Sequence, residues 1–373
     1  MRMFLTHGRT CSTPDTEVFE DHTYPQRVHW FKNSYARVKT GLFCPAHVVA
    51  EQVLDKDLMR QLRETQTGKT AFLFAAGNAN FAGEGSKTGR ENSMTYNYKV
   101  LPLSLTHVYG ARIATNCGEI DHSATDSTAC TSSLKVLMDV QTLIQFYGFD
   151  RVIVFSAEDQ VNNMTLQFFG EAGASLTEDM ARTHQVAPSA FDSKNFGFYI
   201  GHGAVFSVFE SERAVDRLGT TPIAEFLGAY TATEVMSNTI GQRDDGQGFV
   251  RAIKGACEMS QIAPEQIRIV KTHGTGTKSN NAAEKTALDS VLSEFVATSY
   301  KQRIGHTMGA SGLLETLLLF KDLEKGIVPE ILNRTERDDR YLSHPVEPPK
   351  GTVLSLSAGM GNVFSAALFN LRT

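Results

Sequence analysis

Residues 126–134 read DSTACTSSL, a run of small and hydroxyl-bearing residues that ends where an apolar helical pattern begins. Across 131–147 the apolar residues fall at 134, 137, 138, 140, 143, 144 and 147, around most of a helix, and Gly148 follows as a favoured terminator. A helix with so little polar surface belongs in the interior, and Cys130 stands at its head. Unpaired backbone N–H groups at a helix N-terminus favour a thiolate, so this position predicts a Cys130 pKa below the free value of ~8.5. The plain alternative is a small buried hydrophobe, the usual fate of a free cysteine and the expectation for Cys11, Cys44, Cys117 and Cys257.

Outward from this helix, short runs rich in branched and aromatic residues predict strands at 69–76 (KTAFLFAA), 151–156 (RVIVFS), 204–209 (AVFSVF), 268–271 (RIVK), 352–357 and 363–369. Between them, 247–260 is an amphipathic helical pattern and 310–325 a Leu-rich one closed by Gly326. Strands alternating with helices predict an α/β layered fold. A strand, a glycine-rich loop and a buried helix occur around 69–160 and again around 268–371, the echo of a duplicated domain rather than of a short repeat. Residues 172–195 and 333–351 read as connectors, and the first ~65 residues carry no clear element.

At 373 residues the chain suits two fused halves. Hydrophobic residues at 41% and charged residues at 21% are those of an ordinary globular protein. A net charge of −5 without a Lys/Arg cluster argues against a nucleic-acid groove. Five scattered cysteines, none at metal-ligand spacing, fit a reducing cytoplasm. The N-terminus MRMFLTHGRTCSTPD has no apolar leader, and no run reaches the ~18 residues that span a bilayer. The expectation is a cytoplasmic protein without membrane insertion.

Two histidines stand in glycine-dense loops. His273 opens HGTGT directly after the strand RIVK, and His306 sits in KQRIGHTMGASG ahead of the Leu-rich helix. A lone histidine is more often a satisfied polar group than a catalyst; two of this kind beside a helix-head cysteine are a rarer set. A cysteine thiolate can accept an acyl group from a thioester, and neutral imidazoles can donate N–H bonds to a second thioester carbonyl as it becomes an enolate. A papain-like hydrolase would instead pair one histidine with the cysteine and orient it with Asn or Asp. The hairpin TVLSLSAGMGNVFSAALF, 352–369, turns at Gly359 and Gly361, where a backbone N–H could serve as an oxyanion donor.

Taken in order, these stretches resemble the β-ketoacyl synthase family of the thiolase fold, in its Cys-His-His branch. DSTACTSSL is similar to the nucleophile motif, FDSKNFGFYIGHGA (191–204) to the central FDxxRDGFxxGEGA stretch, HGTGT to the first histidine motif, KQRIGHTMGASG to the Lys-x-x-x-Gly-His motif, and SAGMGN (357–362) to the GFGG-type turn. The resemblance covers roughly 69–371. It implies two βαβαβαββ halves in α-β-α-β-α layers, divided as 1–190 with Cys130 and 191–373 with His273 and His306, and a dimer, either of identical chains or with a second ketosynthase-like subunit.

The resemblance also implies roles. Cys130 takes an acyl chain from an acyl carrier protein, and His273 and His306 polarise a malonyl thioester as it loses CO2. Lys301 and Glu284 support the histidines, and the backbone N–H groups of Cys130 and Met360 form the oxyanion hole. No cofactor is implied beyond the phosphopantetheine on which the carrier protein brings its substrates, and no metal.

The departures are specific. Asn195 and Phe196 replace the family's Arg-Asp pair, His202 replaces the Glu of GEGA, and Asn281 replaces the Asp after HGTGT. Ala358 and Met360 stand where phenylalanines are common, and Asn362 where glycine is. The Met360 position acts in many members as a gate between acyl pocket and malonyl side, and methionine is softer than phenylalanine there. These changes point to a specialised fatty-acid or polyketide pathway.

Two alternatives are a non-elongating acyltransferase and a chain-length-factor-like subunit, the latter ordinarily without the cysteine. GEGSKTG (83–89) has the wrong spacing for a phosphate loop, and His107 and His122 form no ligand pattern.

Overall fold

The computed structural model describes residues 1–12, 17–19, 26–29, 53–65, 68–77, 105–160, 163–236, 238 and 240–371. Cys44 and the GEGSKTG stretch lie outside them. Ten strands form one path through the sheet. In chain order they are β1 (Met3–Ser12), β4 (Thr70–Ala75), β5 (His122–Asp126), β6 (Arg151–Asp159), β7 (Ile200–Ser211), β8 (Ala224–Thr233), β9 (Ile267–Lys271), β10 (Val296–Thr298), β11 (Thr352–Gly359) and β12 (Val363–Leu371). Short strands β2 (Glu17–Phe19) and β3 (Gln26–His29) pair with each other, and β3 also pairs with β7. Each strand expected from sequence is present; that at 69–76 is shorter by one residue at each end, and the others are lengthened by a residue or more.

The order across the path is β10-β9-β11-β12-β8-β1-β7-β6-β4-β5. Read outward from the central β8/β1 contact, it contains the same half twice. In one half β4 is parallel to β5 and β6, β6 is antiparallel to β7, and β7 is antiparallel to β1. In the other, β9 is parallel to β10 and β11, β11 is antiparallel to β12, and β12 is antiparallel to β8. Identical order and sense in both halves is the duplication echoed in the sequence. Strand β7 begins beyond the 190/191 division yet pairs with β6 and β1.

Alternation along the strands sorts the apolar residues into layers. Helices α4 (Leu137–Gln145) and α11 (Ser311–Glu324) lie in the middle, where Leu137, Val140, Leu313 and Leu317 pack with Leu73 and Val154 of one half and Ile269 and Val353 of the other. On one outer face, α8 (Gln247–Ser260) and α9 (Lys278–Val291) cover Val270, Leu354 and Leu368. On the other, α1 (Lys56–Glu64) and α2 (Thr106–Ala114) cover Phe72, Phe74 and Phe155. The result is the expected α-β-α-β-α stacking. No helix among the described residues is long and apolar enough to cross a membrane.

Three expectations need correction. The single helix over 131–147 is broken into a 3-10 turn at Ala129–Thr131, α3 (Ser132–Lys135) and α4, with Val136 between them. It ends at Gln145, so Tyr147 is exposed, and the Tyr147 N–H closes back on the Thr142 carbonyl before Gly148 turns at φ +69°. The connector 172–195 contains α6 (Glu178–His184), capped by the Thr177 hydroxyl. The N-terminal region, which carried no clear element, supplies β1, paired on both sides. The remaining α-helices among the described residues are α5 (Asn163–Glu171), α7 (Glu212–Leu218) and α10 (Lys301–Ile304). Cys117 and Cys257 are buried and free, as small hydrophobes would be.

Candidate active site

The duplication brings the two ends of the site together. Cys130 follows β5 in one half and His306 follows β10 in the other, and each leads through a 3-10 turn into a central helix. Both turns start on a non-glycine residue in the left-handed region, Ala129 at φ +50° and Met308 at φ +47°. Such backbone costs of order 1–3 kcal/mol per residue and persists where the surroundings enforce it. Here the enforcement is close packing. A Cβ on Gly312 would sit 2.8 Å from Cβ of Leu134, and the Leu313 N–H donates to Oγ of Ser133 at 3.1 Å.

Cys130 is 7% exposed and packs with Leu166, Phe198, Ile200 and Met308. Its carbonyl accepts the Ser357 hydroxyl at 2.8 Å, which ties the helix head to β11. A Cβ on Gly359 would lie 2.9 Å from the Thr128 carbonyl and 3.3 Å from the Cys130 nitrogen, so only glycine lets the end of β11 come this close. Met360 is therefore held at the cysteine. Burial pushes the Cys130 thiol up to about 12, with the Lys301 ammonium pulling the other way. The lowering expected from the helix end is outweighed, because the thiol is enclosed by apolar groups and the helix it heads is one short turn.

His273 and His306 meet with ring centroids 5.8 Å apart and planes at 80°. The edge of Phe198 meets the His306 ring, with centroids 4.9 Å apart. Burial holds both imidazoles well below their usual pKa, and the Lys301 and Lys271 ammonium groups add to this. At neutral pH both rings are neutral, with one N–H each to donate.

Glu284, on α9, reaches back beneath the HGTGT loop. It accepts the backbone N–H of His273 at 2.5 Å and of Gly274 at 2.9 Å, and the Asn280 amide at 2.9 Å. Burial raises its carboxyl, and these hydrogen bonds oppose the rise. Lys301 does not touch a histidine through a hydrogen bond; its ammonium lies 2.8 Å from Oε1 of Glu315.

Glu315, Lys271 and Ser311 were not singled out from sequence. Glu315 is a lone charge between leucines in SGLLETLLLF, and Lys271 ends an apolar strand; a charge in an apolar run is the one signal either carries. Ser311 Oγ lies 2.9 Å from Nδ1 of His306.

Two cavities meet at Cys130. One, of about 260 Å3, is almost wholly apolar and is bounded by Ala129, Gln160, Thr165, Phe169 and Met308. The other, of about 100 Å3, is bounded by His273, His306, Thr275, Thr277 and Ala358. Cys130, Phe168, Phe169 and Met360 border both, and Met360, 38% exposed, stands at their junction.

The departures from the family pattern fall mostly outside these walls. Asn195 braces the loop before β7, accepting the Ala187 N–H at 3.0 Å and donating to the Asn333 carbonyl at 2.6 Å. That stretch in turn supports the first histidine loop, because the Gly197 N–H donates to the Gly276 carbonyl. His202 is buried in β7, opposite Asp159. Asn362 has φ +59°, a conformation asparagine tolerates in place of glycine. Among the described residues no three His, Cys, Asp or Glu side chains are grouped to hold a metal.

Two family descriptions match the sequence: Beta-ketoacyl synthase, N-terminal domain, over residues 46–214, and Beta-ketoacyl synthase, C-terminal domain, over residues 223–335. The chain is 29% identical over 251 residues, 65% of its length, to the tetracenomycin polyketide synthase ketoacyl synthase alpha subunit of Streptomyces glaucescens. It is 26% identical over 281 residues, 72% of its length, to the mitochondrial 3-oxoacyl-acyl-carrier-protein synthase of Arabidopsis thaliana. These matches span 58% and 60% of the relatives' own lengths. Among solved structures, a type II polyketide acyl-carrier protein in complex with its ketosynthase bound to the hexaketide aligns with TM-score 0.83 at 20% identity, over 100% of this chain and 99% of that one. A beta-ketoacyl synthase from Burkholderia phymatum aligns with TM-score 0.81 at 18% identity, over 100% of both chains. The fold is thiolase-like.

Proposed function

The chain belongs to the β-ketoacyl synthase family, and from that premise we propose that it is a β-ketoacyl carrier-protein synthase, an acyltransferase that performs decarboxylative Claisen condensation. The observation that carries this reading is that Cys130 and two neutral imidazoles border one cavity while Cys130 alone of the three borders the apolar one. The acyl group lies in the apolar cavity and the malonyl unit beside the histidines.

In the first step Sγ of Cys130 attacks the acyl thioester carbonyl, and the carrier's thiol departs with the proton. In the second, the malonyl carboxylate leaves as CO2, and the electron pair of the broken C–C bond passes to the thioester oxygen. N–H groups of His273 and His306 donate to that oxygen. The enolate carbon then attacks the acyl-Cys130 carbonyl, whose oxygen is met by the backbone N–H groups of Cys130 and Met360. The C–S bond breaks, and Sγ takes up a proton. Glu284 fixes the His273 backbone, Lys301 acts through Glu315, and Met360 serves as the gate between the cavities.

The substrates arrive on the phosphopantetheine of an acyl carrier protein, and no further cofactor is called for. The halves carry the nucleophile and the histidines respectively, and the pairing of β7 argues for counting it with the first. We place the protein in the cytoplasm, in a fatty-acid or polyketide pathway, as a dimer of identical chains or with a second ketosynthase-like subunit. Strand β5 supports the dimer: among the described residues it ends the sheet, and His122, Ser123 and Ala124 on it are exposed. An edge strand of this kind pairs readily with its own copy across a two-fold axis.

The test uses an acyl carrier protein bearing a short acyl group and a malonyl carrier protein. Acyl transfer to Cys130 is read by intact mass, CO2 by release, and the 3-oxoacyl product on the carrier. Wild type that acylates but never elongates is a non-elongating acyltransferase, and full condensation by Cys130→Ala ends the reading.

A further inference from the structure

Glu315 is held by two lysines, although one would neutralise it. Its Oε1 lies 2.8 Å from Nζ of Lys301 and its Oε2 3.3 Å from Nζ of Lys271, and all three side chains are fully buried. One carboxylate between two ammonium groups leaves this trio with one positive charge, which low dielectric penalises unless something nearby uses it, while the next buried carboxyl, Glu284, is taken up by the His273 and Gly274 N–H groups and the Asn280 amide. Lys271 ends β9, two residues before His273, and it also donates to the Leu356 carbonyl on β11 at 2.6 Å.

Charged groups face Lys271 from three further elements: Glu315 from α11, Lys301 from α10 and Glu284 from α9. The two imidazoles in turn feel both ammonium groups. When malonyl decarboxylates, negative charge appears at the oxygen these imidazoles bind. We infer that Lys271 is a positioning residue of the condensation, whose ammonium, held on Glu315 beside Lys301, adds positive charge behind both imidazoles and favours the enolate. It touches no reacting atom. The inference rests on the reading that His273 and His306 receive the malonyl thioester.

A structural role would lie in the bond to Leu356. Two variants separate the possibilities. Lys271→Gln can still donate to that carbonyl but carries no charge; Lys271→Met does neither. Both leave Glu315 paired with Lys301, so no buried carboxylate is stranded, and if the methionine variant fails to fold the glutamine variant carries the test. Burial lowers the Lys271 ammonium to about 8, so it is protonated at neutral pH and lost as pH rises through that value.

The expected result in both variants is unchanged acylation of Cys130, with kcat for decarboxylation of malonyl carrier protein about tenfold lower at unchanged KM. This is milder than the ~100-fold cost of removing a direct oxyanion donor. Wild type should lose decarboxylation as pH rises through about 8, a limb absent from both variants. In NMR of 15N-histidine-labelled protein, the imidazoles should titrate at higher pH in both variants than in wild type. Unchanged imidazole titration in both variants overturns the inference, as does wild-type decarboxylation in Lys271→Gln alone, which would reduce Lys271 to a strap on β11. Wild type that never decarboxylates malonyl would sink the synthase reading instead, and the imidazole titration would still decide the role of the Lys271 charge.

Discussion

The backbone N–H of Met308 lies 3.2 Å from Nδ1 of His306, and a backbone N–H can only donate. Nδ1 is therefore an acceptor, and the ring proton sits on Nε2. Oγ of Ser311, 2.9 Å from the same nitrogen, is a second donor to it. Ser311→Ala keeps the Met308 bond and loses one neutral hydrogen bond, worth about 1 kcal/mol. The expected outcome is roughly fivefold slower CO2 release from malonyl carrier protein, with acylation of Cys130 by intact mass unchanged. An effect confined to acylation would show that Ser311 acts elsewhere.

Glu284 fills both carboxylate oxygens with donors: the His273 N–H at one, the Gly274 N–H and the Asn280 amide at the other. An amide has one acceptor oxygen, so Glu284→Gln sets its own NH2 against a buried backbone N–H. Leaving a buried donor unsatisfied costs about 1–3 kcal/mol. Urea unfolding should show a loss of that size, accompanied by lower condensation because the displaced backbone is that of His273. Unaltered unfolding would mean that the loop holds itself.

Burial sets the nucleophile's pH dependence. With its pKa pushed up to about 12, the Cys130 thiol is protonated at pH 7. The thiolate fraction then grows about tenfold per pH unit, so alkylation by iodoacetamide should climb without a plateau from roughly pH 7 to 10. Lys301→Met, which removes the ammonium that lowers this pKa, should slow alkylation at every pH in that range. A plateau near neutral pH would mean that the pull of the helix end on the thiolate exceeds the cost of burying it.

What was legible in the sequence follows from range of interaction. Cys130, His273 and His306 could be singled out as candidates because each carries its context in the adjoining residues: small residues before a helix, or glycines around a ring. The strands at 69–76 and 151–156 announced themselves by branched, apolar runs. Strand β1 did not, because only Met3, Phe4 and Leu5 supply apolar burial at its start while the rest reads THGRTCS. Its place is fixed by backbone pairing with β7 and β8, a long-range fact. Lys271 and Glu315 are 44 residues apart and meet only once β9 and α11 are packed, so a charge in an apolar run was visible for each but its partner was not. The break at Val136 is likewise tertiary: α3 and α11 approach through Gly312 and Leu134, and an apolar pattern cannot say where a helix must bend to allow it.

The apolar cavity limits the acyl chain. Taking the ~30 Å3 that one water occupies in the liquid as the size of a heavy-atom group, about 260 Å3 holds roughly eight or nine of them. Acyl carrier proteins bearing four to about eight carbons should therefore acylate Cys130 readily, and a twelve-carbon chain at least about tenfold more slowly, because the excess methylenes would have to displace Phe169 or Met308. Met308→Ala removes about three heavy atoms from the wall while leaving the backbone N–H that holds His306. It should move the limit outward by about two carbons without changing decarboxylation of malonyl carrier protein. An acylation series of even-numbered chains, read by intact mass at fixed time, measures both. Equal rates for four and twelve carbons in wild type would show that the chain leaves the Phe169–Met308 cavity by another path, and the size limit drawn from this wall would fall.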